Sequence, residues 1–396
     1  MMRTRIETDS LGSLEIPADA YWGIHTARAL ENFPIAKRPI SVYPDLVRAL
    51  AMVKQASARA NREIGVLDAA KADLIDRAAQ RVIDGEFHDE FTVGVIQGGA
   101  GTSTNMNANE VITNIALEMA GREKGDYAFL SPIDDTNRSQ STNDVYPTAI
   151  KIGLSLTLQS LLEELALLRQ SFLSKSEEFH DVLKVGRTQL QDAVPMTLGQ
   201  EFHGFATTLG EDYNRLTENA YLLFEINMGA TAIGTGITAH AGYAGAVLRQ
   251  LREITGLDLE TATDLVESTS DTGAFMSFSS SLKRNAVKLS KICNDLRLLS
   301  SGPQAGLGEI NLPPRQAGSS IMPGKVNPVI PRGREPGRVL GRGRRHDGHH
   351  GGRGRTAAAQ RLRAGHRPFD LPVDHVDAPG DVDPARELRR RHHGQP

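Results

Sequence analysis

Apolar residues recur at helical spacing over unusually long stretches, and this spacing restricts the possible folds more than any other feature of the chain. It predicts helices over residues 44–65, 154–172 and 278–299. The apolar positions of the three stripes are Leu46, Leu50, Val53, Ala56, Ala60 and Ile64; Leu154, Leu158, Leu161, Leu165, Leu168 and Phe172; and Phe278, Leu282, Ala286, Leu289, Cys293, Leu296 and Leu299. Alternating strand patterns are scarce apart from a short hairpin predicted around Leu11 and Gly12. The sequence therefore predicts an all-α fold with a long central helical bundle.

Composition places the chain among soluble globular proteins. It has 396 residues, of which 39% are hydrophobic and 23% charged, so fully disordered and collagen-like classes are excluded. The single Cys293 cannot form an internal disulfide, and no apolar run reaches the length of a signal peptide or a membrane span. We therefore expect a cytoplasmic protein that does not insert into a membrane.

Four segments between the helices are dense in small polar residues and glycine. They cover residues 97–107, 139–144, 186–192 and 318–328. Any one of them is explained by helix capping or turns. Together they favour a site for a ligand that bears carboxylates, because hydroxyl and amide donors converging with one lysine supply many directed hydrogen bonds. None has the spacing of a dinucleotide fingerprint, a Walker loop or a metal cluster, so no cofactor and no metal are expected.

Three of these segments resemble the signature regions of the fumarase/aspartase superfamily. They read GSSIMPGKVNP, QGGAGTSTNMNANEV and SQSTNDVYPTA, and the resemblance extends from Arg5 to Pro331. Within the superfamily, GRTQLQDAVPMTLGQEF and KVNPVIP resemble the aspartate ammonia-lyases, whereas fumarases typically carry His at the position of Gln189. The resemblance implies a mostly helical N-terminal lyase domain over 1–138 and a central bundle domain, incomplete, over 139–331. A further C-terminal domain of the family is expected to be missing.

The implied reaction is the reversible anti-elimination of ammonia from L-aspartate to fumarate. The proton to be removed lies beside a carboxylate and is very weakly acidic, so catalysis must stabilise the doubly charged aci-carboxylate that forms. By the resemblance, Ser319 is the general base. The implied substrate-binding residues are Thr102, Ser141, Thr142 and Ser320 for the β-carboxylate, Lys325 and Asn327 for the α-carboxylate, and Asn143 with Thr188 or Gln189 for the amino group. The family resemblance also implies a homotetramer in which three subunits contribute to each active site.

A serine base requires activation, because an unperturbed hydroxyl is far too weak an acid to ionise at neutral pH. Its alkoxide needs positive potential nearby. Lys325 and the backbone N–H groups of the glycine-rich loop can provide that potential, and loop closure would strengthen it by excluding water. Gly318 and Gly324 flank the segment, which suits a loop that opens and closes.

The composition changes abruptly after Pro331. Residues 332–396 contain 15 Arg, 11 Gly and no Ser, Asn, Ile, Met, Tyr or Lys. Codons exist for RGREPGRV that read EVVNQVA when translation starts one base later, and two further stretches yield AAEGGQLQLNAFEPVI and TLRVNCVDGITAN in the same way. These peptides resemble the helices with which the family continues. We therefore interpret residues 332–396 as an out-of-frame, non-native tail that does not bind nucleic acid, since such translation produces basic residues regardless of function.

Three alternatives stay open at this point. The first is a fumarate hydratase, which an absorbance assay for fumarate from L-malate against L-aspartate separates from a lyase. The second is a catalytically dead, misassembled chain. The third is an Arg-rich nucleic-acid-binding protein, which salt-dependent binding of an oligonucleotide by the tail would support.

Overall fold

Helices make up most of the structure, a computed structural model that describes residues 3–322 and 324–333. The helices are α1 (Ile24–Asn32), α2 (Pro44–Glu63), α3 (Ala69–Ile83), α4 (Thr102–Met119), α5 (Thr142–Glu178), α6 (Leu198–Ala220), α7 (Tyr243–Thr255), α8 (Leu265–Ser270), α9 (Gly273–Leu299) and α10 (Val329–Gly333). Three two-stranded sheets pair β1 (Thr4–Asp9) with β2 (Gly12–Pro17), β3 (Leu183–Thr188) with β4 (Gln191–Thr197), and β5 (Glu225–Ile226) with β6 (Glu260–Thr261). The predicted helical class is confirmed. Over the described ranges, no helix has the length and hydropathy needed to span a membrane.

The chain forms two compact units. The described residues of the first unit run from residue 3 to Ala166 and from Gly210 to Arg284; those of the second run from Leu167 to Leu209 and from Asn285 onward. Helix α5, which is 37 residues long, contributes to both. The predicted domain division at residue 138 stays a prediction, and the predicted non-native tail lies outside the described residues.

Helix α2 forms the centre of the first unit. Leu50, Val53, Ala56 and Ala60 are fully buried, as the apolar stripe predicts. The helix packs against α3, α4 and α7, so it is covered on several sides and buries polar side chains as well, among them Lys54. A lysine at such a position needs oxygen acceptors inside the protein.

The N-terminal hairpin and α4 together hold the start of α1. Helix α1 has no side-chain cap of its own, and its first backbone N–H groups would be left without partners. Glu7 of β1 accepts from Ile24 N at 2.8 Å, and Glu110 of α4 accepts from His25 N at 2.7 Å and Thr26 N at 3.1 Å. Carboxylates at a helix N-terminus are also favoured by the helix dipole.

Aromatic rings join the long helices within the second unit. Phe172 of α5 contacts Phe202 and Phe205 of α6, with ring centroids 5.9 and 5.6 Å apart. Lys291 of α9 lies over the ring of Phe205 at 5.8 Å. These contacts account for the part of the predicted bundle that lies in this unit.

The β3–β4 hairpin was not predicted by the sequence. Thr188 pairs with Gln191, so Gln189 and Leu190 form a two-residue turn, with φ of 51° and 62°. Tight hairpin turns of this kind normally use Asn-Gly or Asp-Gly, because residues with a Cβ are strained at positive φ. A Gln-Leu turn therefore gives no hairpin signal in the sequence, although Gln189 is one of the candidate site residues.

Candidate active site

The N-terminal ends of α4 and α5 lie side by side in the first unit. Thr102 is the first residue of α4, is exposed, and donates its hydroxyl to Gly99 O at 2.8 Å. Gly101 precedes it with φ of 98°, and a Cβ at Gly101 would lie 2.3 Å from the ring of Tyr146 in α5. Glycine is therefore required for this close approach, which brings Thr102 near the first turn of α5.

The first turn of α5 carries Ser141, Thr142 and Asn143. Ser141 Oγ accepts from Asn143 N at 3.2 Å, and Ser141 N donates to Asp144 Oδ1 at 2.9 Å, which together form a reciprocal cap. Asn143 Nδ2 donates to Ala232 O at 2.7 Å, so this amide holds a neighbouring loop. Thr142 is half-buried and accepts a bond from Asn105 Nδ2 at 3.2 Å. The segment is thus ordered by its own hydrogen bonds and presents small polar groups at a helix N-terminus, a favourable place for an anion.

A buried polar cluster lies behind this turn. Lys54 Nζ donates to Asn137 Oδ1 at 2.9 Å and to Gln140 Oε1 at 2.8 Å. Asn137 Oδ1 also accepts from Asn105 Nδ2 at 3.1 Å and from Asn109 Nδ2 at 3.2 Å. Complete burial lowers the pKa of Lys54 to about 7, and the negative charge of Asp144 opposes this shift.

Asp144 anchors a second loop beneath the same turn. Its Oδ2 accepts from Thr231 N at 2.9 Å and from Gly229 N at 3.3 Å. Burial raises the pKa of Asp144 to about 6, while these backbone bonds, the bond from Ser141 N and the charge of Lys54 lower it. The residue therefore supports the geometry of the α5 terminus from inside the unit.

Thr188 and Gln189 lie at the tip of the β3–β4 hairpin in the second unit, and both are exposed. The base of the hairpin is fixed by charges: Lys184 pairs with Glu201 of α6 and, at 2.8 Å, with Glu309. Arg187 pairs with Glu309 as well. These ion pairs at the base hold the hairpin in place, so the tip does not depend on packing contacts of the Gln189 side chain.

Ser319 lies in a tight loop of the second unit. Ala317 and Val326 form an antiparallel bridge, and Gly318 N donates to Lys325 O at 2.8 Å. A Cβ at Gly318 would lie 2.7 Å from Lys325 O, so only glycine permits this closure. Asn327 Nδ2 donates to Gly318 O at 2.7 Å and closes the loop further.

Two backbone N–H groups point at the Ser319 hydroxyl oxygen. Ile321 N and Met322 N each lie 3.1 Å from Ser319 Oγ and donate to it. Donors of this kind stabilise negative charge on the oxygen that accepts from them. The half-buried Ser319 oxygen therefore lies where two backbone donors favour negative charge on it.

Lys325 and Asn327 line a cavity of about 570 Å³ in the second unit, whose other wall includes Arg297 and Ser301. Lys325 and Ser320 are exposed, whereas Asn327 is half-buried. The signature loop therefore carries four of the candidate residues, two of which, Lys325 and Asn327, line the cavity.

The structure gathers the candidate residues into three groups. Thr102 lies with residues 141–143, Thr188 lies with Gln189, and the last group lies in the 317–327 loop. Sequence reasoning missed Lys54 and the amides bound to it. The one available signal was a lysine within the apolar run of α2, and a lysine on a long helix is ordinarily a solvated residue.

The chain matches known lyases over most of its length. The family model described as Lyase matches residues 12–332, so the match ends next to the composition change at Pro331. An aspartate ammonia-lyase of Pseudomonas aeruginosa is 64% identical over 329 residues, which cover 83% of this chain and 69% of that protein. Among solved structures, the fumarate lyase:delta crystallin from Brucella melitensis is 56% identical with a TM-score of 0.83, over 84% of this chain and 72% of that one. The recombinant class II fumarase from Schistosoma mansoni is 33% identical with a TM-score of 0.80, over 84% of this chain and 73% of that one.

Proposed function

The chain belongs to the aspartate ammonia-lyases of the fumarate lyase family, and from this premise we propose that it eliminates ammonia from L-aspartate with Ser319 as the base. The greater identity to an aspartate ammonia-lyase (64%) than to a class II fumarase (33%) favours ammonia over water as the leaving group. Gln189, at the position where fumarases typically carry His, agrees with this choice.

The reaction proceeds in two steps. The Ser319 alkoxide takes a proton from Cβ of L-aspartate, and the C–H electron pair is delocalised into the β-carboxylate to give the aci-carboxylate. That pair then forms the Cα–Cβ double bond while the C–N bond breaks, so fumarate and ammonia result. The arrangement of Ile321 N and Met322 N around Ser319 Oγ is the observation that supports the base most directly.

The other candidate residues stabilise charge and orient the substrate. The hydroxyls of Ser141, Thr142 and Ser320 donate to the β-carboxylate, and that of Thr102 does so when the substrate replaces Gly99 O as its acceptor; these bonds strengthen as charge accumulates there. Lys325 and Asn327 hold the α-carboxylate, for which Lys325 supplies the charge. Asn143 and the hairpin tip at Thr188 and Gln189 face the amino group.

The assembly is part of the proposal. We propose a homotetramer whose active sites each combine segments from three subunits, as in the family that the chain resembles. Cys293 is buried and is the only cysteine of the chain, so it forms no internal disulfide, and this supports a reducing cytoplasm as its compartment.

Ser319→Ala tests the base, in a chain whose reading frame after Pro331 is restored. We expect turnover to fall by orders of magnitude, while binding of succinate stays nearly unchanged, because the base acts mainly in the transition state. Fumarate formation from L-aspartate, followed by absorbance, measures the first quantity, and succinate inhibition measures the second.

Ser171→Ala is the matched control, since Ser171 is half-buried in the same unit and its hydroxyl donates to Leu167 O in its own helix, α5. Its turnover should stay near that of the unmodified enzyme. Near-normal turnover in Ser319→Ala would remove Ser319 as the base, and fumarate formation from L-malate alone would identify a hydratase.

A further inference from the structure

Lys54 is the most deeply buried cation of the first unit that the mechanism above does not use. It is 0% exposed, and its amino group faces two side-chain amides, those of Asn137 and Gln140. A protonated amine carries donors and no acceptor, so in this form Lys54 donates to both of them. The atoms that face Lys54 are therefore oxygens, and the orientation of both amides is fixed.

The orientation of Asn137 fixes that of Asn105. Asn137 Oδ1 only accepts, so the atom of Asn105 that lies 3.1 Å from it is the amide nitrogen. That same nitrogen lies 3.2 Å from Thr142 Oγ1 and donates to it. The donor and the acceptor of each hydrogen bond are thus fixed from Lys54, through Asn137 and Asn105, to Thr142, the first residue of α5.

This orientation of the Asn105 amide leaves one of its polar atoms without a hydrogen bond. Asn105 Oδ1 is buried without a hydrogen-bond partner, which is unfavourable for an ordinary polar group. Turning the Asn105 amide over would not remove the cost, because its oxygen would then face the oxygen of Asn137. Lys54 therefore sets this constraint together with Gln140 O, which accepts from Asn137 Nδ2 at 3.3 Å.

The consequence appears at the Thr142 hydroxyl. Its oxygen accepts from Asn105, and within the described ranges no acceptor takes its hydrogen. The hydrogen is therefore available to a ligand at the N-terminal end of α5.

We propose that Lys54 is a positioning residue for the lyase reaction: it fixes the direction of the hydrogen bond between Asn105 and Thr142. The Thr142 hydroxyl then donates to the substrate β-carboxylate and does not turn inward. This inference rests on the proposed function, which assigns Thr142 to that carboxylate. Because the acceptor gains charge in the aci-carboxylate, a fixed donor direction matters more for kcat than for binding.

Asn105→Leu tests the last link, with Asn109→Leu as the matched control. Both asparagines lie on α4, are buried, donate to Asn137 Oδ1 and leave an unpaired oxygen, but only Asn105 contacts Thr142. We expect Asn105→Leu to lower kcat about 10-fold, less than the 10²–10³ that removal of an oxyanion donor costs, with little change in succinate inhibition. Asn109→Leu should lose similar thermal stability and keep its kcat. All of these variants are made in the frame-restored chain, in which the codons after Pro331 are translated in the frame that gives the family's helices.

A double-mutant cycle with Thr142→Val distinguishes the role of Thr142 in the reaction from the role of Asn105 in orienting the Thr142 hydroxyl. If Asn105 acts through the Thr142 hydroxyl, Asn105→Leu should cause no further loss of kcat once that hydroxyl is absent. Additive losses, or an equal loss of kcat in Asn109→Leu, would overturn the inference alone. Full turnover in Thr142→Val would overturn both the assigned role of Thr142 and the inference.

Lys54→Met tests the origin of the direction. It should lower kcat as Asn105→Leu does, and again without further effect in the Thr142→Val background; unchanged kcat would overturn the inference. If this variant gives no folded protein, Asn137 carries the same test. Asn137→Asp keeps an acceptor for both Lys54 and Asn105 and should retain kcat, whereas Asn137→Leu should lose it, and equal kcat in the two would overturn the inference.

Discussion

The side chains of the candidate site differ in whether they bind the transition state more strongly than the substrate or bind both equally. Lys325 carries a full charge at an exposed position beside the cavity, whereas its polar neighbours in the signature loop are neutral. A charge that holds the α-carboxylate does so equally in the substrate and in the transition state, because that carboxylate does not change during the reaction. Its loss should therefore weaken binding and lower kcat/KM together, while kcat stays nearly unchanged.

We expect Lys325→Ala to lower kcat/KM by about 10- to 150-fold, the equivalent of one charge-assisted hydrogen bond, and to weaken succinate inhibition by a similar factor. The matched control is Lys291→Ala, which removes a lysine on α9 whose side chain is 71% exposed. An unchanged inhibition constant in Lys325→Ala would count against its role at the α-carboxylate.

Burial of Lys54 makes the free energy of unfolding depend on pH. Its native pKa is about 7 against an ordinary value of 10.5, because burial disfavours the charged form. Between these two values the unfolded chain binds more protons than the native chain, so the free energy of unfolding rises with pH. Below pH 7 both states are protonated, and the cost of the buried charge is fully present.

Urea unfolding at pH 7, 8 and 9, at a fixed protein concentration, measures this dependence. The unmodified protein should gain stability relative to Lys54→Met across the series. Parallel pH dependences for the two proteins would show that Lys54 keeps its ordinary pKa in the native state.

At the scale of single elements, helix α4 offers a direct comparison of its two ends. Gly101 before the helix and Gly121 after it both have positive φ, 98° and 71°. A Cβ at Gly101 would overlap the Tyr146 ring, whereas a Cβ at Gly121 would meet no atom within 4 Å. The two positions share the backbone strain and differ in crowding.

We therefore expect Gly101→Ala to destabilise the protein by about 1–3 kcal/mol more than Gly121→Ala, the usual cost of overpacking. Turnover should also fall in Gly101→Ala alone, because Thr102 follows directly. Thermal unfolding and the fumarate assay check the two effects, and equal melting temperatures would mean that Tyr146 moves aside freely.

The sequence predicts some of these elements well and others not at all. The α2 stripe is reliable because Leu50, Val53 and Ala60 repeat one physical requirement, burial, at a fixed period. The β3–β4 hairpin escapes prediction because its turn uses Gln189 and Leu190, which are strained at positive φ and are held there by the surrounding structure. The polar cluster escapes for another reason: it depends on residues from α2, α4 and the 137–140 segment, which no local pattern relates.

At the scale of the whole molecule, the family match and the composition change meet at the same place. The described helices leave large apolar side chains exposed, including Met276, Val287 and Leu298 on α9 and Ile330 on α10. Burial of such a side chain is worth about 1.5–3 kcal/mol, a large share of a total stability of about 5–15 kcal/mol. We propose that neighbouring copies of the chain cover surfaces of this kind.

We expect the 396-residue chain to aggregate or to form incomplete oligomers with little lyase activity, and the frame-restored chain to form an active tetramer. Size-exclusion chromatography with light scattering, together with the fumarate assay, compares the two. A stable, fully active tetramer from the unmodified chain would show that residues 332–396 are compatible with the fold.

The hydrogen bonds that Ser319 accepts determine which substitutions the signature loop tolerates during evolution. Both donors are main-chain groups, of Ile321 and Met322, so nearly any replacement of those two side chains leaves them in place. Only proline, which has no N–H, deletes a donor outright. On the proposed assignment of Ser319 as the base, its activation depends on the path of the loop backbone, so we expect the side chains at positions 321 and 322 to vary among related enzymes that retain the reaction.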